Sequence, residues 1–172
     1  ETDTRTDANS VAQTYFNAAY GEVTAPPHMV WNGRQLTTDR LCSPLYVYNS
    51  PKGGYVIIAA ENKAYPILAY STRRIFDREK LSEEEKAMLT KYARESEIVR
   101  YDSRIPANAL KAWQNLPQYV AAILKEPYMS DEYNALSDEQ REKLESLDRA
   151  GNQILMPQAT EFDLYNPDNF RE

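Results

Sequence analysis

Between Leu45 and Ser71 the chain reads LYVYNSPKGGYVIIAAENKAYPILAYS, three apolar runs separated by short polar turns. The pattern predicts a strand over Leu45–Tyr48, a turn at NSPKG, and a return strand over Tyr55–Ala60. ENK forms a second turn, and Ile67–Tyr70 a third strand, with Pro66 at its start where a missing N–H is tolerated. Strands joined by turns this short pair antiparallel, as a meander. YVIIAA is continuously apolar rather than alternating, which predicts a central strand covered on both faces. Gly53 and Gly54 supply the positive φ that the turn before it needs.

Elsewhere the apolar spacing changes to that of helices. Val11, Ala12, Tyr15, Phe16 and Ala19 share one face of a helix over VAQTYFNAAY, capped by Asp7 or Ser10 and ended at Gly21. Pro26-Pro27 then stops any helix, and Asn32-Gly33 is a turn signal with room for a short strand on either side. Ser82 and Glu85 form a capping box, reinforced by Glu83 and Glu84 at the positive end of the helix dipole. The helix they open, SEEEKAMLTKYARESEIVRY, carries Met88, Leu89, Tyr92, Ala93 and Val99 on one stripe, which is expected to cover a sheet face.

After residue 104 the chain becomes helices broken by prolines. PANALKAWQNL places Pro106 at a first helical position, Pro117 interrupts it, and QYVAAIL runs on to Pro127. Ser137 and Gln140 form a second capping box, for DEQREKLESLDRA, stopped by Gly151. Leu136, Leu144 and Leu147 are that helix's main apolar residues, so it is expected to pack peripherally. The tail EFDLYNPDNFRE has no periodicity. The fold class is therefore α+β, an antiparallel β-sheet meander flanked by helices, with an additional helical C-terminal part. The expected organisation is a disordered N-terminal tether over 1–7, an α+β domain over 8–104, and a helical extension over 105–172, packed on the domain or following it.

Composition narrows the function. With 172 residues and 42% hydrophobic content the chain can bury a core without disulfides. No run approaches the roughly 18 apolar residues needed to span a bilayer. A net charge of −6 argues against nucleic acid, whose phosphates call for clustered Lys and Arg. The chain starts at Glu1 without a Met or an apolar targeting segment, as a mature secreted protein or a trimmed chain does.

Candidate chemistry is sparse. His28 is the one histidine and Cys42 the one cysteine, which removes histidine-rich metal sites and most catalytic dyads. Both lie in a proline-rich segment expected to be loop. His28 reads as a solvated loop residue and Cys42 as a small buried hydrophobe, against a formal Cys–His pair. The paired carboxylates at helix starts already serve the helix dipole, which weakens a glycosidase reading. Gly53-Gly54 sits in a hairpin turn, not in a phosphate loop between strand and helix. The thirteen tyrosines are scattered over strands and helices and read as core-edge residues. By elimination the chain is not expected to be an enzyme, to use a cofactor or to hold a metal.

The apolar meander also carries a specific pattern. Tyr46, Val47, Tyr48 and Asn49 precede a turn ending in Gly53-Gly54. Tyr55, Val56 and Ile57 follow, then Pro66, Leu68, Ala69, Tyr70 and Ser71, and soon Phe76-Asp77. This closely resembles the pro-domain of streptopain-like bacterial cysteine proteases, a module that also occurs alone as a streptopain inhibitor. The resemblance spans roughly residues 8 to 101. It implies an antiparallel sheet flanked by helices that folds against the protease, blocks its cleft and holds the catalytic histidine loop out of place. Nothing in residues 102–172 resembles the Cys- and His-bearing protease segment.

The implied role is a non-catalytic inhibitor or folding partner, secreted or in the cell envelope, bound to a streptopain-like cysteine protease in cis or in trans. The implied contact surface is STRRIFDREK, Ser71 to Lys80, with Arg73, Arg74, Phe76 and Asp77 as candidate contacts. Phe76 reads equally as an aromatic anchor or as a plug at the end of the sheet. The resemblance also implies an Asn just after Phe-Asp that reaches the protease active site. DREKLSEEE has none, and Glu83 or Glu84 falls nearest, though both are explained as helix N-terminal acids. Two other readings stand beside this one: a surface adhesion or glycan-binding module on the same scaffold, and an enzyme using Cys42.

Overall fold

The structure is a computed structural model that describes residues 4–37, 42–71, 74–101, 107–125, 137–140 and 142. Four strands form one antiparallel sheet in sequence order: β1 (His28–Trp31), β2 (Leu45–Asn49), β3 (Tyr55–Ala59) and β4 (Ile67–Ser71). β3 is interior and buried along its whole length, as its unbroken apolar run predicts. Leu45 pairs with Ala59 and Asn49 with Tyr55, and the turn between them closes through Ser50 N to Gly54 O at 3.1 Å. Gly53 and Gly54 both adopt positive φ, 105° and 92°.

Two helical layers cover the sheet. One face, carrying Tyr46, Tyr48, Val56, Ile58, Ile67 and Tyr70, packs against α1 (Thr4–Tyr20), α3 (Ala107–Gln114) and α4 (Leu116–Lys125). The other, carrying Leu45, Val47, Tyr55, Ile57, Leu68 and Ala69, packs against Leu89 and Tyr92 of α2 (Glu83–Arg100). Consecutive Leu68 and Ala69 share a face because the β3–β4 register shifts between Ile57 and Ile58, a bulge. Arg100 fastens the end of α2 to the sheet. Its Nε lies 2.8 Å from Glu61 Oε1 and its Nη2 3.4 Å from the Ser43 carbonyl, while Lys63 Nζ donates to the Arg100 carbonyl at 3.0 Å. Burial works against the Arg100 charge, yet the adjoining Glu61 carboxylate outweighs it and holds the guanidinium above its ordinary range.

Several expectations are corrected. α1 begins at Thr4, so Asp7 and Ser10 lie inside it, and four of the seven residues expected in a tether are helical. The polar Thr4–Asp7 turn extends the helix ahead of Ala8, which is fully buried. His28 is exposed but lies in a strand rather than a loop, paired with Asn49. After Asn32-Gly33 comes a 3₁₀ turn, Arg34–Leu36, instead of a second strand. Gly33 is buried at φ 69°, and a Cβ there would stand 2.9 Å from Leu45 Cδ1. Cys42 is half-buried with a free thiol rather than enclosed in the core.

Both capping boxes form. Ser82 Oγ accepts from Glu85 N at 3.1 Å and Glu85 Oε1 from Ser82 N at 3.0 Å; Ser137 and Gln140 make the same pair at 3.2 and 2.9 Å. The rest of the last predicted helix and the EFDLYNPDNFRE tail lie outside the described residues. Of the C-terminal extension, α3 and α4 pack on the sheet and α1. Pro117, in the first turn of α4, separates the two because it has no N–H to continue the α3 ladder. Among the described residues no helix is long and apolar enough to cross a membrane.

The start of β4 is met from both layers. Tyr119 Oη of α4 accepts from Ile67 N at 3.3 Å and lies 3.4 Å from its carbonyl, and Tyr92 Oη of α2 reaches the Leu68 carbonyl at 3.5 Å. Ile123 anchors α4 and is 3% exposed. Ile123→Ala is expected to lower unfolding free energy by about 2–5 kcal/mol, as a buried large-to-small change does, read by chemical denaturation. A cost near zero would mean that α4 only rests on the sheet.

Candidate functional site

β1 and the segment after β4 meet at one end of the α2-covered face. Asn49, the last residue of β2, reaches across with its carboxamide. Its Oδ1 accepts from Phe76 N at 2.9 Å and its Nδ2 donates to the Phe76 carbonyl at 3.1 Å. One side chain thus makes both hydrogen bonds that a neighbouring strand would make, and it fixes the backbone of Phe76. The Phe76 ring is buried, edge-on to Tyr55 at 5.7 Å and stacked on Trp31 at 5.9 Å. Phe76 is therefore a plug at the end of the sheet, and the anchor reading is corrected for the chain in this state.

Extended backbone places neighbours on opposite sides. With Phe76 turned in, Ile75 turns out and is 47% exposed. Asp77 accepts from Glu79 N at 3.0 Å and so caps the 3₁₀ turn Arg78–Lys80. Arg74 is half-buried, with its N bonded to Ser71 Oγ at 3.0 Å. Glu83 is exposed and faces Lys86 Nζ at 3.3 Å. Arg73 and the Glu84 side chain lie outside what is described.

Between this segment and β1 runs an open groove of about 260 Å³. Trp31, Leu36, Leu81 and Leu89 form its apolar lining, and Arg78 and Lys86 bring positive charge, with Glu79 beside them. Trp31 is fixed by Nε1 donating to Gln35 Oε1 at 2.8 Å, and the Arg78 guanidinium stands over its ring at 5.8 Å from the centroid. Such a site suits an apolar or aromatic side chain beside a carboxylate. It has the features of a docking surface: an aromatic residue, Arg and a partly enclosed apolar floor.

Of the sequence-stated candidates, then, Arg74, Phe76, Asp77 and Glu83 fall along the segment that borders the groove, and Phe76 and Asp77 act by shaping it. The sequence does not single out Trp31; Ile75 and Arg78 fall within the Ser71–Lys80 surface without a role of their own, and Asn49 stands in the resemblance pattern without its link to Phe76. Trp31 lies in a segment that no apolar pattern marks as strand or loop. The alternation at Ile75-Phe76 was a usable signal for which side chain faces out.

The comparisons with known proteins bear on this same region. A family model described as Spi protease inhibitor matches residues 3–96, more than half of the chain. No curated protein and no solved structure matches. The matched span contains all four strands, both 3₁₀ turns and most of α2, and so every residue named around the groove.

Replacing Asn49 tests the clamp. Asn49→Ala leaves the Phe76 N–H and carbonyl without their partners and is expected to cost about 1–3 kcal/mol. Tryptic cleavage after Arg74 and Arg78 should accelerate more than cleavage after Arg94. Uniform acceleration at all three would assign Asn49 to global stability alone.

Proposed function

We propose a function for this chain on one premise: it belongs to the Spi protease inhibitor family. Its role is to bind a protease and block it without chemistry of its own. The target class is a streptopain-like cysteine protease, met in cis as a propeptide or in trans as a stand-alone inhibitor. Support for that target comes from the Tyr46–Asn49, Gly53-Gly54, Pro66–Ser71 and Phe76-Asp77 pattern. The same resemblance favours a secreted or cell-envelope location.

One observation carries the reading. The family match covers all the elements that build the Asn49–Phe76 clamp and the Trp31 groove. Two blocks of the resemblance pattern, the one ending at Asn49 and the one beginning at Phe76, meet in a single pair of hydrogen bonds. Inhibition of this kind depends on shape held in advance. A loop pinned before binding loses less conformational freedom on docking than a mobile one. A specific interface takes about 800 Å² per partner, so the groove is one part of a wider contact that includes Ile75 and the Arg78–Lys80 turn. The absence of an Asn after Phe76-Asp77 means that the contact with the protease active site differs from the one the resemblance implies, and Glu83 is the described one of the two acids, Glu83 and Glu84, assigned to that contact. No observation favours the adhesion or glycan-binding reading.

Titration of the purified chain against a panel of streptopain-type cysteine proteases, streptopain included, is expected to abolish peptidase activity at micromolar inhibitor or below. Full activity across the panel would remove the assigned target class. Glu83→Ala is expected to weaken inhibition without lowering the unfolding midpoint; unchanged potency would leave Glu83 as a helix N-terminal acid alone.

A further inference from the structure

The two outer edges of the sheet are treated differently. At the start of β4 the hydroxyls of Tyr119 and Tyr92 occupy backbone groups of Ile67 and Leu68. β1 is open: His28, Met29 and Val30 are exposed, and among the described residues its backbone bonds only to β2. Its register on β2 shifts between Met29 and Trp31, leaving Val30 as a bulge residue that is 45% exposed. An uncovered edge of this kind carries unpaired N–H and C=O groups that accept a further strand. Trp31 ends β1 and lines the groove, so edge and groove form one continuous surface.

Charge selects the occupant. Residues 28–36 and 74–81 hold four basic side chains, Arg34, Arg74, Arg78 and Lys80, against the acidic Asp77 and Glu79, in a chain of net charge −6. Asp77 is already used as a cap. A second copy would bring this basic region against its own like, which opposes self-pairing. We propose that β1 receives an extended, acid-bearing segment of the target protease as an added strand. One apolar side chain of that segment enters the Trp31 groove, and a carboxylate faces Arg78. This rests on the inhibitor reading above and adds to it the part of the protease that is held and the way it is held.

The test is amide hydrogen exchange, read by NMR over residues 28–31, for the full chain alone and in complex with an inhibited streptopain-type protease. Outward amides of β1 are expected to exchange readily in the free chain and to slow at least about tenfold in the complex, as paired strand amides do. Arg78→Glu is expected to weaken inhibition at least about tenfold, whereas Arg94→Glu, the same charge change on the exposed side of α2, leaves it unaltered. If inhibition occurs but β1 exchange does not change, the strand-addition proposal is overturned and the inhibitor reading stands. Equal weakening by both reversals also overturns it, since that reports general charge steering. Slow β1 exchange in the chain alone overturns it too, by assigning the edge to another segment of the chain or to a second copy. Absence of inhibition and of a complex across the panel removes both readings together.

Discussion

A sheet buried on both faces needs two separate covers, and that constraint organises this protein. β2, β3 and β4 carry large apolar side chains on both sides, so neither face tolerates water. One face takes α1, α3 and α4; the other takes α2. Beside Tyr55 and Trp31, Phe76 from the segment after β4 adds to that cover. The chain finishes the cover with an irregular segment, and irregular backbone has to find partners for its polar groups. Asn49 supplies them. Its carboxamide is the reason that Phe76 can sit in the core while Ile75 beside it faces solvent.

The groove follows from the same arrangement. Phe76 and Leu81 fill part of the space between β1 and the start of α2, and what is left over opens beside Trp31. A surface made this way is more rigid than an exposed loop of equal length. Its apolar floor belongs to the core, and its charged side chains stand on a capped 3₁₀ turn and the first turns of a capped helix.

What could be read from the sequence was whatever depends on local pattern. Tyr55–Ala59 announced a doubly covered strand because five successive residues are apolar, and both capping boxes were legible from residues three apart. β1 was harder to see. It is four residues long, follows two prolines and exposes most of its side chains, so no alternation marks it. The start of α1 is hard to see because Thr4–Asp7 carry no apolar residue to mark a helical period. The candidate site was legible only as a neighbourhood. That Asn49 holds Phe76, and that Trp31 stacks on it, are contacts between residues 27 and 45 positions apart, and no period in the chain encodes them. Phe76 illustrates the limit: an aromatic residue in a polar loop fits an anchor and a plug equally well until the partners of its ring are known.

The unequal edges of the sheet also set a limit on stoichiometry. A sheet with two open edges can add strands at both, and such growth has no natural end. Here the tyrosine hydroxyls of two different helices obstruct the start of one side, at Ile67 and Leu68. With the start of that side obstructed, strand addition is favoured at one side of the sheet only, which favours one-to-one assemblies over continued growth.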